Sequence, residues 1–90
     1  MNGWTVELTK SAQREFRQLE DGPQQAAAEL IADLAEDPSL VPALEMRANP
    51  QIWRARFHQD RYRMIYQITK TRVIVKRIRA RRTAYKGMKR

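Results

Sequence analysis

The chain has 90 residues, enough for one domain and too few for two, and 42% of them are hydrophobic, which suffices for a globular core. It holds no Cys and a single His (His58), which excludes a disulfide framework, a thiol nucleophile and a Cys- or multi-His-ligated metal site. The net charge of +8 is unevenly spread: residues 1–45 carry three basic and nine acidic side chains, whereas residues 46–90 carry fifteen basic ones and a lone acid, Asp60. Such asymmetry points to a polyanionic partner for the second half. Apolar runs are only a few residues long and the first residues lack a basic-then-apolar leader, so a soluble cytoplasmic protein without a membrane span is expected.

Taken in chain order, Trp4-Thr5-Val6-Glu7-Leu8-Thr9 alternates with period two and predicts a strand with Trp4, Val6 and Leu8 inward. Ser11 offers an N-cap for a short helix over about 11–20, with Ala12, Phe16 and Leu19 at helical spacing. Asp21-Gly22-Pro23 reads as its stop and as the entry to a second helix reaching Glu36, with Ala27, Leu30, Ile31 and Leu34 on one stripe. Asp37-Pro38 ends that helix. Residues 38–51, with Pro38, Pro42 and Pro50, read as a loop holding a brief strand near Leu44–Met46. Three strands follow at about 52–58, 61–68 and 72–80, joined as a meander by Gln59-Asp60 and Thr69-Lys70-Thr71. The predicted fold is a single α+β domain over 1–90, β-α-α-β-β-β, with an antiparallel meander sheet covered on one face by a two-helix hairpin.

Side chains alternate across a strand, so the phase of each strand assigns its charges to a face. Trp53, Ala55 and Phe57 share one side, and Arg54, Arg56 and His58 the other. Tyr62, Met64, Tyr66 and Ile68 face the core, leaving Arg61, Arg63 and Gln67 opposite. The apolar sets are expected to pack on the helices and the arginines to form an open basic surface. In the last strand Val73 and Val75 share parity with Arg77, Arg79 and Arg81, so a bulge or the end of the sheet is implied and the faces stay unassigned. Arginine forks donate paired, charge-assisted hydrogen bonds to phosphate. Arg47, His58, Arg61, Arg77, Arg79, Arg82, Lys86 and Lys89 are therefore expected to contact RNA. Tyr85, flanked by cations, and Tyr62 or Trp53 offer stacking surfaces for unpaired bases, which favours single-stranded RNA.

Four stretches together resemble the RelE/ParE superfamily, the toxins of type II toxin–antitoxin pairs. They are Val6-Glu7-Leu8-Thr9-Lys10-Ser11-Ala12, Ile52-Trp53-Arg54-Ala55-Arg56-Phe57, the run from Asp60 to Ile68, and Ile78-Arg79-Ala80-Arg81-Arg82-Thr83-Ala84-Tyr85. The short first helix resembles the RelE-like branch, whose members are ribosome-dependent endoribonucleases that cut mRNA in the A site; ParE-like members poison DNA gyrase. The resemblance implies a RelE-like fold, catalytic roles for Arg54, Arg56, Arg63, Arg81 and Tyr85, no cofactor and no metal, and a cognate antitoxin, the ribosome and mRNA as partners. RelE-like sites often carry Lys at the first two positions, where this chain has Arg54 and Arg56. Arg stays protonated, so these two stabilise charge and neither serves as a base. Tyr85, His58 and Glu45 are the candidates for proton transfer, Tyr85 foremost because nearby cations favour its phenolate. Gyrase inhibition on the same fold and a non-catalytic RNA-binding module are the alternative functions, and fold alone does not separate them.

Overall fold

In the computed structural model, which describes residues 3–81, the period-two segment forms strand β1 (Thr5–Leu8), with Val6 and Leu8 partly buried. Helix α1 (Lys10–Arg17) follows at once. Its N-cap is Thr9 rather than Ser11: the Thr9 hydroxyl accepts from the Ala12 N–H at 3.1 Å and donates to the Lys76 carbonyl at 2.9 Å. A cap at Thr9 satisfies a helix donor and a strand acceptor together, which Ser11 does not.

The helical hairpin breaks at residues 18–20, and Asp21-Gly22-Pro23 is the first turn of α2 (Asp21–Glu36), not the end of α1. Pro is tolerated there because the first N–H groups of a helix lack intrahelical acceptors, and Asp21 suits the positive end of the helix dipole. Gln24 stitches the hairpin, donating from Nε2 to the Phe16 carbonyl at 2.9 Å. Gly22 answers to space: a Cβ there would stand 3.3 Å from Cε1 of His58. The expected stripe of α2 faces inward, with Ala27 and Leu34 buried and Leu30 and Ile31 packed against the core. Burying a side chain such as Leu34 stabilises the fold by about 1.5–3 kcal/mol. A 3₁₀ turn (Pro38–Leu40) follows, capped by Asp37 Oδ1, which accepts from the Ser39 N–H at 3.0 Å.

Strands β2 (Leu44–Met46), β3 (Asn49–Phe57), β4 (Tyr62–Ile68) and β5 (Arg72–Ala80) form the antiparallel meander. The five-stranded sheet has the order β1-β5-β4-β3-β2, and β1 pairs with β5 in parallel. The sheet is therefore mixed, a correction to the purely antiparallel expectation. Parallel pairing needs a long connection, and the two helices and three strands between β1 and β5 supply it.

The irregular parity of the last strand has a local cause. Ile65 pairs with Arg77 and Tyr66 with Val75, which leaves Lys76 without a pairing residue on β4. Val73 and Val75 before this bulge and Ile78 after it are all buried, so the extra residue brings the apolar side chains back to the core. They join Ala55, Phe57, Met64 and Tyr66 beneath the helices. Tyr66 is fully buried, its hydroxyl has no hydrogen-bond partner among the described residues, and burial pushes its phenol up to about 12.

Candidate functional site

Directly paired residues on neighbouring strands project to the same side, with the strands about 4.8 Å apart. The register aligns Arg56 with Arg63 and Arg63 with Arg79; one row away it aligns Arg54 with Ile65 and Ile65 with Arg77. Cations thus stand in two rows on the face turned away from the core. Arg54 and Arg56 also border a shallow depression with Pro42, Ala43 and Leu44.

The turn between β3 and β4 completes the arrangement. His58, Gln59 and Asp60 take φ values of 53°, 58° and 64° in succession. Left-handed backbone costs about 1–2 kcal/mol for each residue bearing a Cβ. The turn is held by the Arg61 N–H on the His58 carbonyl at 3.2 Å, and the Arg81 N–H on the Arg61 carbonyl at 2.7 Å tethers it to the end of β5. It delivers Asp60 to the arginine row. Oδ1 of Asp60 lies 2.9 Å from Arg63 Nη1 and 3.5 Å from Arg56 Nε, and Oδ2 lies 3.8 Å from Arg81 Nη1. One carboxylate gathers three guanidinium groups.

Arg63 departs from the expected open placement: only 4% of it is exposed. Its Nη1 donates to the carbonyls of Asp60 at 3.1 Å and Tyr62 at 3.2 Å, which fold the guanidinium back beneath the turn. Among the described residues Oδ1 of Asp60 is shielded from water and accepts no aligned hydrogen bond, so the 2.9 Å approach of Arg63 is a charge contact only.

A second carboxylate holds a different pair. β1 pairs with β5 only as far as Val75, and Glu15 of α1 takes over the edge beyond it. Its Oε1 accepts from the Ile78 N–H at 2.8 Å, and its Oε2 accepts from Arg77 Nε at 3.1 Å and Nη2 at 2.8 Å, with Arg79 Nε at 3.5 Å. Burial pushes the Glu15 carboxyl up, but its bonds to Arg77 and Ile78 and the charges of Arg77 and Arg79 outweigh that and hold it below the ordinary 4.5. The hydrogen bond from Arg77 to Glu15 in turn raises the pKa of that guanidinium. The faces of the last strand, unassigned from sequence, are thus settled: Arg77 and Arg79 lie on the arginine side and are engaged there by Glu15.

A family model described as the ParE toxin of the type II toxin–antitoxin system parDE matches residues 6–85. The chain belongs to this toxin family. It is a toxin of a type II pair, with a cognate antitoxin as its partner, within the RelE/ParE superfamily that its residues resemble. No curated protein sequence matches the toxin. Among solved structures it is similar to the RelBE2 toxin–antitoxin complex of Mycobacterium tuberculosis, at 28% identity and a TM-score of 0.75 over 88% of this chain and 99% of that one. It is also similar to the isolated RelE toxin of E. coli, at 19% identity and a TM-score of 0.74 over 84% and 82%. The archaeal RelE–RelB complex from Pyrococcus horikoshii is 17% identical, with a TM-score of 0.67 over 88% and 96%. The last two likenesses speak to fold alone, and that fold is the expected RelE-like α+β architecture.

Of the residues singled out by sequence, the toxin brings Arg56, Arg63 and Arg81 together around Asp60 and sets Arg54 in the adjoining row. Arg47 lies exposed in the turn between β2 and β3, and Arg61 is exposed beside Asp60. His58 is not on the arginine face: β3 ends at Phe57, and the left-handed turn swings the imidazole toward Gly22 and to 5.9 Å from the Tyr62 ring. Glu45 pairs with Trp53, on the side away from Arg54. Arg82, Tyr85, Lys86 and Lys89 lie outside the described residues. Sequence reasoning missed Asp60 and Glu15. Asp60 had a signal, as the lone acid of residues 46–90 standing three and four positions from Arg63 and Arg56. Glu15 had none, since its partners lie more than sixty residues away.

Proposed function

We propose that the toxin is a ribosome-dependent endoribonuclease that cuts mRNA in the ribosomal A site. The observation that carries this reading is the convergence of Arg56, Arg63 and Arg81 on a single carboxylate, a spacing that suits one phosphodiester. In such cleavage the 2′-oxygen bonds to the adjacent phosphorus as its proton passes to a base. The P–O5′ bond breaks, the 5′-oxygen takes up a proton, and the products end in a 2′,3′-cyclic phosphate and a 5′-hydroxyl. The phosphorane between them carries added negative charge, which Arg81 and Arg56 stabilise with Arg63 beneath them. One preorganised donor of this kind contributes about 10²–10³-fold in rate. Arg54 supports them from the next row. Because Arg keeps its proton, proton transfer falls to Tyr85, four positions beyond Arg81 in the chain. Arg47 and Arg61, with Arg82, Lys86 and Lys89, bind the RNA backbone, and the antitoxin neutralises the toxin in the cytoplasm by covering this face.

The deciding experiment adds the purified toxin to programmed ribosomes and maps mRNA ends at the A-site codon. Cyclic phosphate ends there are expected. A second reading, inhibition of DNA gyrase without nuclease activity, is favoured by the ParE description of the matching family model. Loss of supercoiling activity with intact mRNA would decide for it.

A further inference from the structure

The same turn supports a step beyond that reading. We propose that Asp60 is a resident occupant of the anion seat: its carboxylate fills the place between Arg56, Arg63 and Arg81 that a phosphodiester takes, and RNA binding exchanges one anion for the other. The inference rests on the phosphodiester-binding reading of these arginines and adds a built-in competitor to it.

Four features of the site point to exchange rather than permanent attachment. A carboxylate and a phosphodiester each spread one negative charge over two oxygens, so the guanidinium groups meet the same charge before and after. Two of the three Asp60 contacts are long, at 3.5 and 3.8 Å, and at the third, 2.9 Å from Arg63, Oδ1 accepts no aligned hydrogen bond among the described residues. Arg63 does not depend on the carboxylate for its orientation, because Nη1 is held by the carbonyls of Asp60 and Tyr62. The Asp60 side chain is 44% exposed in a surface turn, so rotation about its own χ1 carries the carboxylate into water without breaking the sheet. The cluster stays partly neutralised while empty, and RNA has to compete for it.

The test uses the full chain and its Asp60→Asn variant, which keeps the side-chain shape and tolerates left-handed backbone. Removing the internal competitor is expected to tighten binding of a short single-stranded RNA, 2′-O-methylated to prevent cleavage, by about tenfold at low salt. Inorganic phosphate, at ionic strength matched with chloride, is expected to raise the melting temperature of the variant more than that of the parent. A purely structural aspartate would leave that phosphate dependence unchanged. RNA affinity equal to or below the parent's, or equal phosphate shifts in both proteins, overturns the proposal. Asp60→Gly suits the same backbone and carries the same expectations if the Asn variant does not fold. Arg81→Ala in the same assay separates the two levels. If it binds RNA like the parent, the arginine cluster is no anion seat and the functional reading falls with it. If it binds more weakly while neither Asp60 variant gains affinity, only the exchange is refuted.

Discussion

Among the described residues two carboxylates each gather more than one arginine, Glu15 and Asp60, and they do so in opposite ways. Glu15 is 16% exposed and accepts three aligned hydrogen bonds, from Arg77 and from the Ile78 N–H. Among the described residues Asp60, 44% exposed, touches three arginines and accepts no aligned bond at Oδ1. The first arrangement makes its arginines part of the frame: they are tied to the carboxylate that closes the β5 edge left open by β1. The second leaves its arginines with charge to offer. A guanidinium cluster is thus marked for a ligand by how poorly its internal anion is bonded, and the number of its arginines is a weaker guide.

The contrast can be broken most severely at Arg81. Arg81→Ala is expected to lower A-site cleavage about 10²-fold, as loss of one charge-stabilising donor does, with an unchanged melting temperature. Near-parental cleavage would remove Arg81 from the site. At the other cluster the effects reverse: Glu15→Ala is expected to cost about 2 kcal/mol of stability, the scale of hydrogen bonds to charged groups, and to leave RNA affinity within twofold. Denaturant titration and RNA binding on the same samples check both halves. A pH series sharpens the point. Glu15 titrates below its ordinary 4.5 in the folded toxin, so its contribution is present above that pH and disappears as the pH falls through the lowered value. Glu15→Gln should flatten that part of the acid limb, and an unaltered limb would show that other carboxylates govern it. The smallest expected effect is at the helix start, where Thr9→Ala removes an N-cap and should cost about 1 kcal/mol by thermal melting.

Much of the architecture was legible because it depends on local signals. Period-two runs placed the strands, the apolar stripe placed α2, and Trp53-Arg54-Ala55-Arg56-Phe57 assigned core and surface correctly at Trp53 through Phe57. What escaped depends on partners distant in sequence or on backbone conformation. Nothing in residues 4–9 states that they will lie parallel to residues 72–75, because that pairing is settled by the crossover. Strand parity carried one residue too far put His58 among the arginines, since three consecutive left-handed residues follow Phe57 and no glycine announces them. Arg63 was on the right side of the sheet but not in the open, because the carbonyls that bury its guanidinium come from the turn's own geometry.

The bulge in β5 bears on chain length. Lys76 is a surplus residue: if it were removed, Val73, Val75, Ile78 and Ala80 would keep their inward direction in an unbroken alternation, and Arg77 and Arg79 would stay outward. What would vanish is the carbonyl to which Thr9 donates. Related toxins one residue shorter at this point can therefore share every facing of this strand while anchoring their first helix by other means.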